Sequence, residues 1–359
     1  MLKTKSKIFA PSKVAIHKER IEAYLKGENI YPVTMEMDLT QRCTRSCPIC
    51  PYASSRSPGL TLELPFLDRL FSILGPYTFG LVLSGGEATF VPHFPETVAL
   101  AREKGFKEIA VITNGSRLHI PEVQDALLEH VTSVRVSMYD WQDGDSEYFI
   151  ETLDKISNLR NRIEKEGSQL EIGASILTRT EWNDKYAHVG LKALKAGVHW
   201  VYFHPFCVDW ETQRPIQADQ TGVLEAIEKF REEAPHNANI QVPYERYSPE
   251  HLHFNKLHGA HFLIQVGADG WNYAGPECKY EEDYRLLNLN EYMEEDFLWH
   301  PQRLNALNKM NSRNYRAIGT KHRPPIFSDH IEKIIDIRKN LSTVDINDDA
   351  GEFFYPGII

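Results

Sequence analysis

The sequence lacks any run of about 18 uncharged apolar residues, the length that a membrane-spanning helix requires. Its N-terminal segment contains basic residues but no apolar core followed by a small-residue cleavage site, so it does not resemble a secretion signal. A basic surplus is also missing, because 50 Asp and Glu oppose 40 Lys and Arg and give a formal net charge of −10. We therefore expect a soluble, cytoplasmic protein whose main partner is neither a nucleic acid nor a membrane.

Cysteine is scarce, with five in the chain, and an odd number is a poor disulfide framework. Cys43, Cys47 and Cys50 form a CxxxCxxC motif, whereas Cys207 and Cys278 lie far from it in the sequence. Short cysteine spacings of this kind hold iron–sulfur clusters, and a structural zinc site usually needs four protein ligands. Three thiolates would leave one iron of a cubane open to bind another molecule.

The order of apolar and amphipathic segments predicts parallel strands that alternate with helices. We expect an α/β fold, a partial (β/α)6 TIM-like barrel over residues 31–235. An N-terminal helical segment, 1–30, precedes it, and an α+β C-terminal extension, 236–359, follows it. The predicted strands are 33–39, 79–86, 108–115, 133–139, 170–178 and 200–206, and helices are expected at 94–105, 148–167 and 185–197.

A polar motif follows each of the first four predicted strands. The cysteines follow the first strand, SGGE the second, TNG the third and SMYD the fourth. The carboxyl ends of parallel barrel strands meet on one rim, where active sites are built from the loops. The four motifs therefore predict one shared site.

This ordered set of motifs resembles the radical S-adenosylmethionine (radical SAM) superfamily over roughly residues 30–210. The resemblance rests on Cys43, Cys47 and Cys50, on GGE at 85–87 and on TNG at 113–115. It implies a [4Fe-4S] cluster whose open iron binds the amino and carboxylate groups of S-adenosylmethionine. It also implies reductive cleavage of that cofactor, removal of a substrate hydrogen atom by the 5′-deoxyadenosyl radical, and an external one-electron reductant of the flavodoxin or ferredoxin type.

The resemblance also implies roles for residues of the second and third loops. Gly85 and Gly86 would let the backbone approach the methionyl part of the cofactor. Glu87, the last residue of the motif, would lie near the ammonium group of the cofactor. Thr113 and Asn114 are candidates for supporting the cofactor site. The alternative is that both motifs are ordinary turns after strands.

Alternation along the fourth predicted strand places Arg135, Ser137 and Tyr139 on one face, which we expect to line the barrel interior. Ser137 matches the position at which the family often contacts the cofactor ribose, and Ser175 on the next strand is a second candidate. Many relatives have Asp where Tyr139 stands. The alternative for both serines is a hydrogen-bonded core hydroxyl.

The C-terminal region resembles the SPASM extension of many radical SAM enzymes, but it contains one cysteine, Cys278. We therefore expect a SPASM-like scaffold without auxiliary clusters, which leaves no internal electron acceptor. This favours a redox-neutral reaction, an epimerisation or a rearrangement, on a small polar metabolite or natural-product intermediate. Cys207 would donate a hydrogen atom unless it is a small buried hydrophobe, and His204 would transfer a proton or bind substrate.

Two alternative functions remain open at the level of sequence. One is a radical SAM enzyme that modifies a peptide, and the other is a zinc-stabilised binding protein with no enzymatic activity. The histidines between 251 and 261 do not have the spacing of a zinc finger or an HExxH helix, so contact with substrate or solvent is expected of them instead of metal binding. The tail, 351–359, could fold over the barrel or pack against a second subunit.

Overall fold

The structure, a computed structural model, describes residues 11–47, 50, 58–139, 141, 145–206, 219–248, 250–340 and 358. Six neighbouring parallel strands form the barrel wall in sequence order. They are β1 (Thr34–Thr40), β2 (Gly80–Gly85), β3 (Glu108–Thr113), β4 (Ser133–Ser137), β5 (Glu171–Thr178) and β6 (Trp200–Pro205). The predicted partial (β/α)6 barrel is thus confirmed, and each strand begins within one residue of the predicted position.

Helices connect the strands and cover the outer face of the sheet. The described helices are α1 (Lys18–Leu25), α2 (Leu64–Leu74), α3 (Phe94–Glu103), α4 (Pro121–His130), α5 (Glu147–Glu166), α6 (Tyr186–Lys195), α7 (Val223–Glu233), α8 (Tyr244–Tyr247), α9 (Pro301–Lys309) and α10 (Arg323–Asn340). In α5, the Ser146 hydroxyl accepts from the amide of Phe149 at the start, and Gly167 ends the helix in the left-handed region. Within the described part of the chain, no helix is both long and apolar enough to cross a bilayer.

The two faces of the barrel strands differ in polarity. Their outer face is fully buried under the helices, in a core that includes Met37, Leu83, Val111, Val136 and Phe203. Their inner face carries a smaller apolar cluster formed by Val82, Ala110, Trp200, Tyr202 and Ile358. Polar and charged side chains, which include Glu36, Asp38 and Ser175, occupy other positions of the inner face.

The C-terminal region extends the same sheet at both of its edges. Strand β7 (Ile240–Gln241) pairs in parallel with β6, and β8 (Leu263–Val266) pairs in parallel with β1. Strands β9 (Trp271–Tyr273) and β10 (Arg285–Asn288) continue beyond β8 in antiparallel order. The order of the ten strands is therefore β10-β9-β8-β1-β2-β3-β4-β5-β6-β7.

Candidate active site

The loop that follows β1 carries the CxxxCxxC motif. Cys43, Cys47 and Cys50 are partly exposed and are not joined in disulfides, and the amide of Cys50 donates to the carbonyl of Cys47 at 3.1 Å. The sulfur of Cys43 accepts hydrogen bonds from the amide of Arg45 and from Nδ2 of Asn114, both at 3.5 Å. The loop therefore presents three thiols, and one of them accepts an N–H donor from the loop itself and another from Asn114.

These three thiols fit a cubane cluster better than a single metal ion. Among the described residues, no group of three or more Cys, His, Asp or Glu side chains is close enough to hold one ion. In a cubane, each cysteine binds a different iron, so the three sulfurs need not converge on one point. A tetrahedral zinc site, in contrast, requires convergent ligands. The donor set thus matches three-thiolate ligation of an iron–sulfur cluster.

Gly85 and Gly86 bring the loop after β2 against the start of the cysteine loop. The amide of Gly86 donates to the carbonyl of Thr40 at 2.7 Å. A Cβ at Gly85, which has φ of +123°, would lie 2.4 Å from the Thr40 oxygen, and a Cβ at Gly86 would lie 2.2 Å from the Arg42 oxygen. The two glycines therefore have a packing requirement of their own, and their approach to the cofactor stays a prediction.

The carboxylate of Glu87 joins the loops after β2 and β3. It is buried, its Oε1 accepts from Thr89 and from the Thr113 hydroxyl at 2.7 Å, and its Oε2 accepts from the amide of Asn114 at 2.7 Å. Burial raises the pKa of this carboxyl, and the hydrogen bonds from Thr113, Thr89 and Asn114 oppose that shift. The side chain thus fixes the TNG motif in place, and its predicted approach to the cofactor ammonium stays a prediction.

Asn114 contacts the cysteine loop directly. Its Nδ2 donates to Cys43 and to the hydroxyl of Thr44 at 3.1 Å, while its Oδ1 accepts from the amide of Ser116 at 2.9 Å. The hydroxyls of Thr44 and Ser116 are also hydrogen-bonded, at 2.7 Å. The first three motif loops therefore form one hydrogen-bonded unit at the carboxyl ends of β1, β2 and β3.

Ser175 and His204 form a second group, on the interior face of β5 and β6. Oγ of Ser175 is 2.9 Å from Nε2 of His204, whose ring stacks on Tyr202 with centroids 5.0 Å apart. Burial, then Arg246 and Arg135, hold the pKa of His204 well below its usual value, so the ring is neutral near pH 7. The neighbouring predicted residue, Ser137, pairs in register with Ser175 and is partly exposed.

The C-terminal region places cations inside the barrel, which sequence reasoning missed. Nζ of Lys279 lies 2.6 Å from Oδ1 of Asp38 on β1, and that carboxylate also accepts from Ser84 at 2.7 Å and from the Tyr280 hydroxyl at 2.8 Å. Arg323 forms an ion pair with Glu36, two residues earlier on β1. The only signal in the sequence was two inward-facing carboxylates on a barrel strand, which require partners when buried.

A buried chain of polar groups surrounds the remaining C-terminal thiol. The hydroxyl of Tyr315 lies 2.9 Å from Sγ of Cys278 and donates to Oε1 of Glu277 at 2.8 Å, and Oε2 of Glu277 has no hydrogen-bond partner among the residues that the structure describes. Burial raises the pKa of Glu277 to about 7. Cys278 is therefore held in the C-terminal core, where it packs with Tyr273, Ala274 and their neighbours.

The other sequence candidates fall in two groups. Cys207, the proposed hydrogen-atom donor, lies outside the described residues, as does the tail except for Ile358. His258 lies 2.6 Å from the Tyr24 hydroxyl and 3.2 Å from Glu332, and His261 packs on the ring of Tyr24. His258 and His261 thus link α1 to the C-terminal region.

Comparison with known proteins identifies the region that contains the motifs. Residues 37–165 match the model of the Radical SAM superfamily. A stretch of 91 residues is 35% identical to 7,8-dihydro-6-hydroxymethylpterin dimethyltransferase from Methanocaldococcus jannaschii. This stretch is 24% of the present chain and 18% of that protein, so the chain spans less than a fifth of the length of this curated relative.

Solved structures share the fold of most of the chain. SuiB from Streptococcus suis, bound to precursor peptide SuiA, superposes with a TM-score of 0.62 at 11% identity, covering 84% of this chain and 73% of SuiB. Native anSMEcpe with bound AdoMet and the Kp18Cys peptide gives a TM-score of 0.56 at 15% identity, covering 86% of this chain and 100% of the other. At these identities, the likeness concerns the fold.

Proposed function

We propose that this chain, which belongs to the radical SAM superfamily, is an enzyme that cleaves S-adenosylmethionine reductively at a [4Fe-4S] cluster and removes a hydrogen atom from a small polar metabolite or natural-product intermediate. The observation that carries this proposal is the hydrogen-bonded unit of the CxxxCxxC, GGE and TNG loops. Asn114 connects it by contacting Cys43 with its side chain and Glu87 with its backbone amide. An external flavodoxin or ferredoxin type of protein supplies the electron.

When bound, the cluster and S-adenosylmethionine supply one-electron, hydrogen-abstracting chemistry. Cys43, Cys47 and Cys50 hold the cluster through their thiolates. Asn114 orients the Cys43 sulfur through its N–H donor, and Glu87 positions Asn114 through the backbone amide. The glycine pair keeps the second loop close to the cysteine loop.

On β4 and β5, Ser137 and Ser175 offer hydroxyls to the ribose of the cofactor. Ser175 also hydrogen-bonds the neutral ring of His204, which makes that ring a proton donor or acceptor beside the cofactor. A neutral imidazole can do either according to its tautomer. We therefore assign binding roles to the serines and substrate contact or proton transfer to His204.

The reaction is redox-neutral, an epimerisation or a rearrangement. Outside the CxxxCxxC motif the chain has two cysteines, Cys207 and Cys278, which are too few for a four-cysteine auxiliary cluster. Cys278 is, moreover, engaged with Tyr315 in the C-terminal core. A substrate radical then has no second cluster to reduce, and Cys207 is the thiol that we assign to hydrogen-atom return. One electron from the external reductant and one proton then convert the thiyl radical on Cys207 back to the thiol.

A second candidate, peptide modification, is favoured by the shared fold with SuiB in its complex with a precursor peptide. The two candidate functions differ in the substrate that the barrel must admit, a peptide or a small metabolite. Tight binding of a peptide, measured by calorimetry against peptides encoded near this protein, would favour the second. Turnover of a small metabolite in the absence of any peptide would favour the first.

The proposal is tested by anaerobic reconstitution with iron and sulfide. We expect about four iron atoms per chain and formation of 5′-deoxyadenosine when reductant and S-adenosylmethionine are added. Cys47→Ser should lose both, whereas the matched variant Cys278→Ser should keep the iron. Stoichiometric zinc in place of iron, with intact S-adenosylmethionine, would show that the cysteines are structural and would overturn the proposal.

A further inference from the structure

Apolar side chains fill the amino-terminal half of the barrel interior. Val82 and Ala110 are the third residues of β2 and β3, and Trp200 and Tyr202 are the first and third residues of β6. These four side chains and Ile358 form one buried cluster, which we call the floor cluster. The motif loops follow the opposite, carboxyl ends of the strands. The floor cluster therefore lies at the far end of the interior from the CxxxCxxC loop.

Trp200 extends the floor cluster across the neighbouring strand. It pairs in register with Gly173 on β5, and a Cβ built at Gly173 would lie 2.1 Å from the indole ring. The indole thus occupies the space that a side chain at position 173 would need, and it is fully buried there. The lack of a side chain on β5 therefore lets Trp200 cover the inner face of that strand.

Ile358 reaches the floor cluster from outside the barrel strands. It is the one described residue of the tail, 351–359, and its side chain is buried. Its carbonyl accepts a hydrogen bond at 2.8 Å from Nζ of Lys13, which is buried in a 3-10 helix over Pro11–Ile16. A buried ammonium needs such acceptors, because water no longer solvates it. Packing and a hydrogen bond thus both fix the position of Ile358.

Tyr202 connects the floor cluster to the polar group that we assign to substrate contact. Its buried ring stacks on His204 with centroids 5.0 Å apart, and the guanidinium of Arg135 lies 5.9 Å from its centroid. His204 is in turn 2.9 Å from the hydroxyl of Ser175 and is partly exposed. A change in the packing of Ile358 can therefore reach His204 through a single ring.

We propose that Ile358 is a positioning residue of the candidate active site, which supports Tyr202, fixes the ring of His204 and excludes water from the floor cluster. This inference rests on the proposed function in assigning substrate contact or proton transfer to His204. A close-packed side chain leaves no room for water, whereas a cavity beside polar groups can fill with it. A shortened Ile358 would leave such a cavity next to the ammonium of Lys13. His204 would then lose part of the dry surroundings that keep its imidazole neutral.

The titration of His204 reports whether water reaches it. Burial is the main reason that its pKa lies well below the usual value, and Arg246 on α8 and Arg135 on β4 are the next causes. His322, which also interacts with this ring, is itself kept neutral mainly by burial. Shortening Ile358 leaves these three side chains unchanged and reduces the contribution of burial. Water in the floor cluster should therefore raise the pKa of His204 towards its usual value.

The test is histidine NMR on the reconstituted, cluster-loaded protein, labelled with 15N in its imidazole rings and titrated with pH. The proteins are the wild type, Ile358→Ala, the conservative Ile358→Val and the exposed control Ile337→Ala, and His204→Gln identifies the resonances of His204. We expect His204 to titrate at a higher pH in Ile358→Ala than in the wild type. Ile358→Val should lie between them, because it removes only one methylene group, and Ile337→Ala should match the wild type.

The titration separates positioning from a purely structural role. A loss of stability alone leaves the titration of His204 unchanged in the molecules that remain folded. The inference is overturned if His204 titrates alike in the wild type and in Ile358→Ala, or in Ile358→Val where the Ala variant does not fold. Formation of 5′-deoxyadenosine by the wild type, with equal titrations, would refute this inference alone. A raised titration without 5′-deoxyadenosine would refute only the proposed function.

Discussion

Nδ2 of Asn114 donates a hydrogen bond to the sulfur of Cys43 across 3.5 Å, from the loop after β3 to the loop after β1. A donor aimed at a ligating sulfur stabilises negative charge on it, and the reduced cluster carries more negative charge than the oxidised one. The third motif is therefore connected to the redox chemistry of the first by a single side chain.

Replacing Asn114 by Ala should make the cluster harder to reduce. We expect the midpoint potential to fall by tens of millivolts, since a tenfold change in a one-electron equilibrium is about 59 mV. The measurement is a redox titration followed by electron paramagnetic resonance, with the exposed Asn314→Ala as the control. An unchanged potential in Asn114→Ala would show that the contact has no influence on the cluster.

Gly86→Ala should disrupt the site through sterics alone. Its Cβ would lie 2.2 Å from the carbonyl oxygen of Arg42, so the backbone of the cysteine loop must move, at a cost of roughly 1–3 kcal/mol. We expect lower iron content and weaker S-adenosylmethionine binding. Gly319→Ala is the matched control, because a Cβ there meets nothing within 4 Å. Equal iron content in the two variants would contradict the packing role.

The stability of the protein should fall as pH rises through the titration of Glu277. Its pKa is raised from 4.5 to about 7 in the folded state, so the folded protein binds more protons than the unfolded chain in that window. The stabilisation is complete below about pH 4.5 and lost towards and above pH 7. It amounts to no more than roughly 3 kcal/mol, at 1.36 kcal/mol per pKa unit.

Urea denaturation at several pH values measures this effect. Glu277→Gln should flatten the dependence of the free energy of unfolding between pH 5 and pH 7.5, whereas the exposed control Glu282→Gln should keep the slope of the wild type. If the two variants gave the same slope, Glu277 would not be the group that titrates.

Lys279→Met should be strongly destabilising, because it leaves the buried carboxylate of Asp38 without its cation. Removing one partner of a buried pair costs roughly 3–5 kcal/mol. Arg316→Met breaks an exposed contact with Asp283 and should cost less than about 1 kcal/mol. Denaturant titrations measure the free energy of unfolding of each variant. Similar losses of unfolding free energy in the two variants would show that burial does not strengthen the dependence of Asp38 on its cation.

Local pattern predicted the barrel strands well and the C-terminal strands poorly. Strands β1 to β6 are runs of five to eight residues followed by polar motifs, and such runs are visible in a sequence. Strands β7 to β10 have two to four residues each, too few to establish a period. Their place at the edges of the sheet depends on tertiary contacts that no short window contains.

The residues of the candidate site also include some that the sequence predicted and some that it did not. Cys43, Glu87 and Asn114 were found because they belong to motifs at strand ends. Arg246 and Arg323 were missed because they are more than 100 residues away from β4 in the chain and belong to no motif. Only the folded C-terminal region brings them to Arg135.

The position of strand β1 between β2 and β8 has a consequence for folding during translation. Its second neighbour in the sheet, β8, ends at Val266, and the cations that neutralise its two interior carboxylates are Lys279 and Arg323. Until those residues emerge, the nascent barrel exposes an open strand edge and two unmatched acids next to the cysteine loop. Assembly of the metal site is therefore tied to synthesis of the chain as far as Arg323.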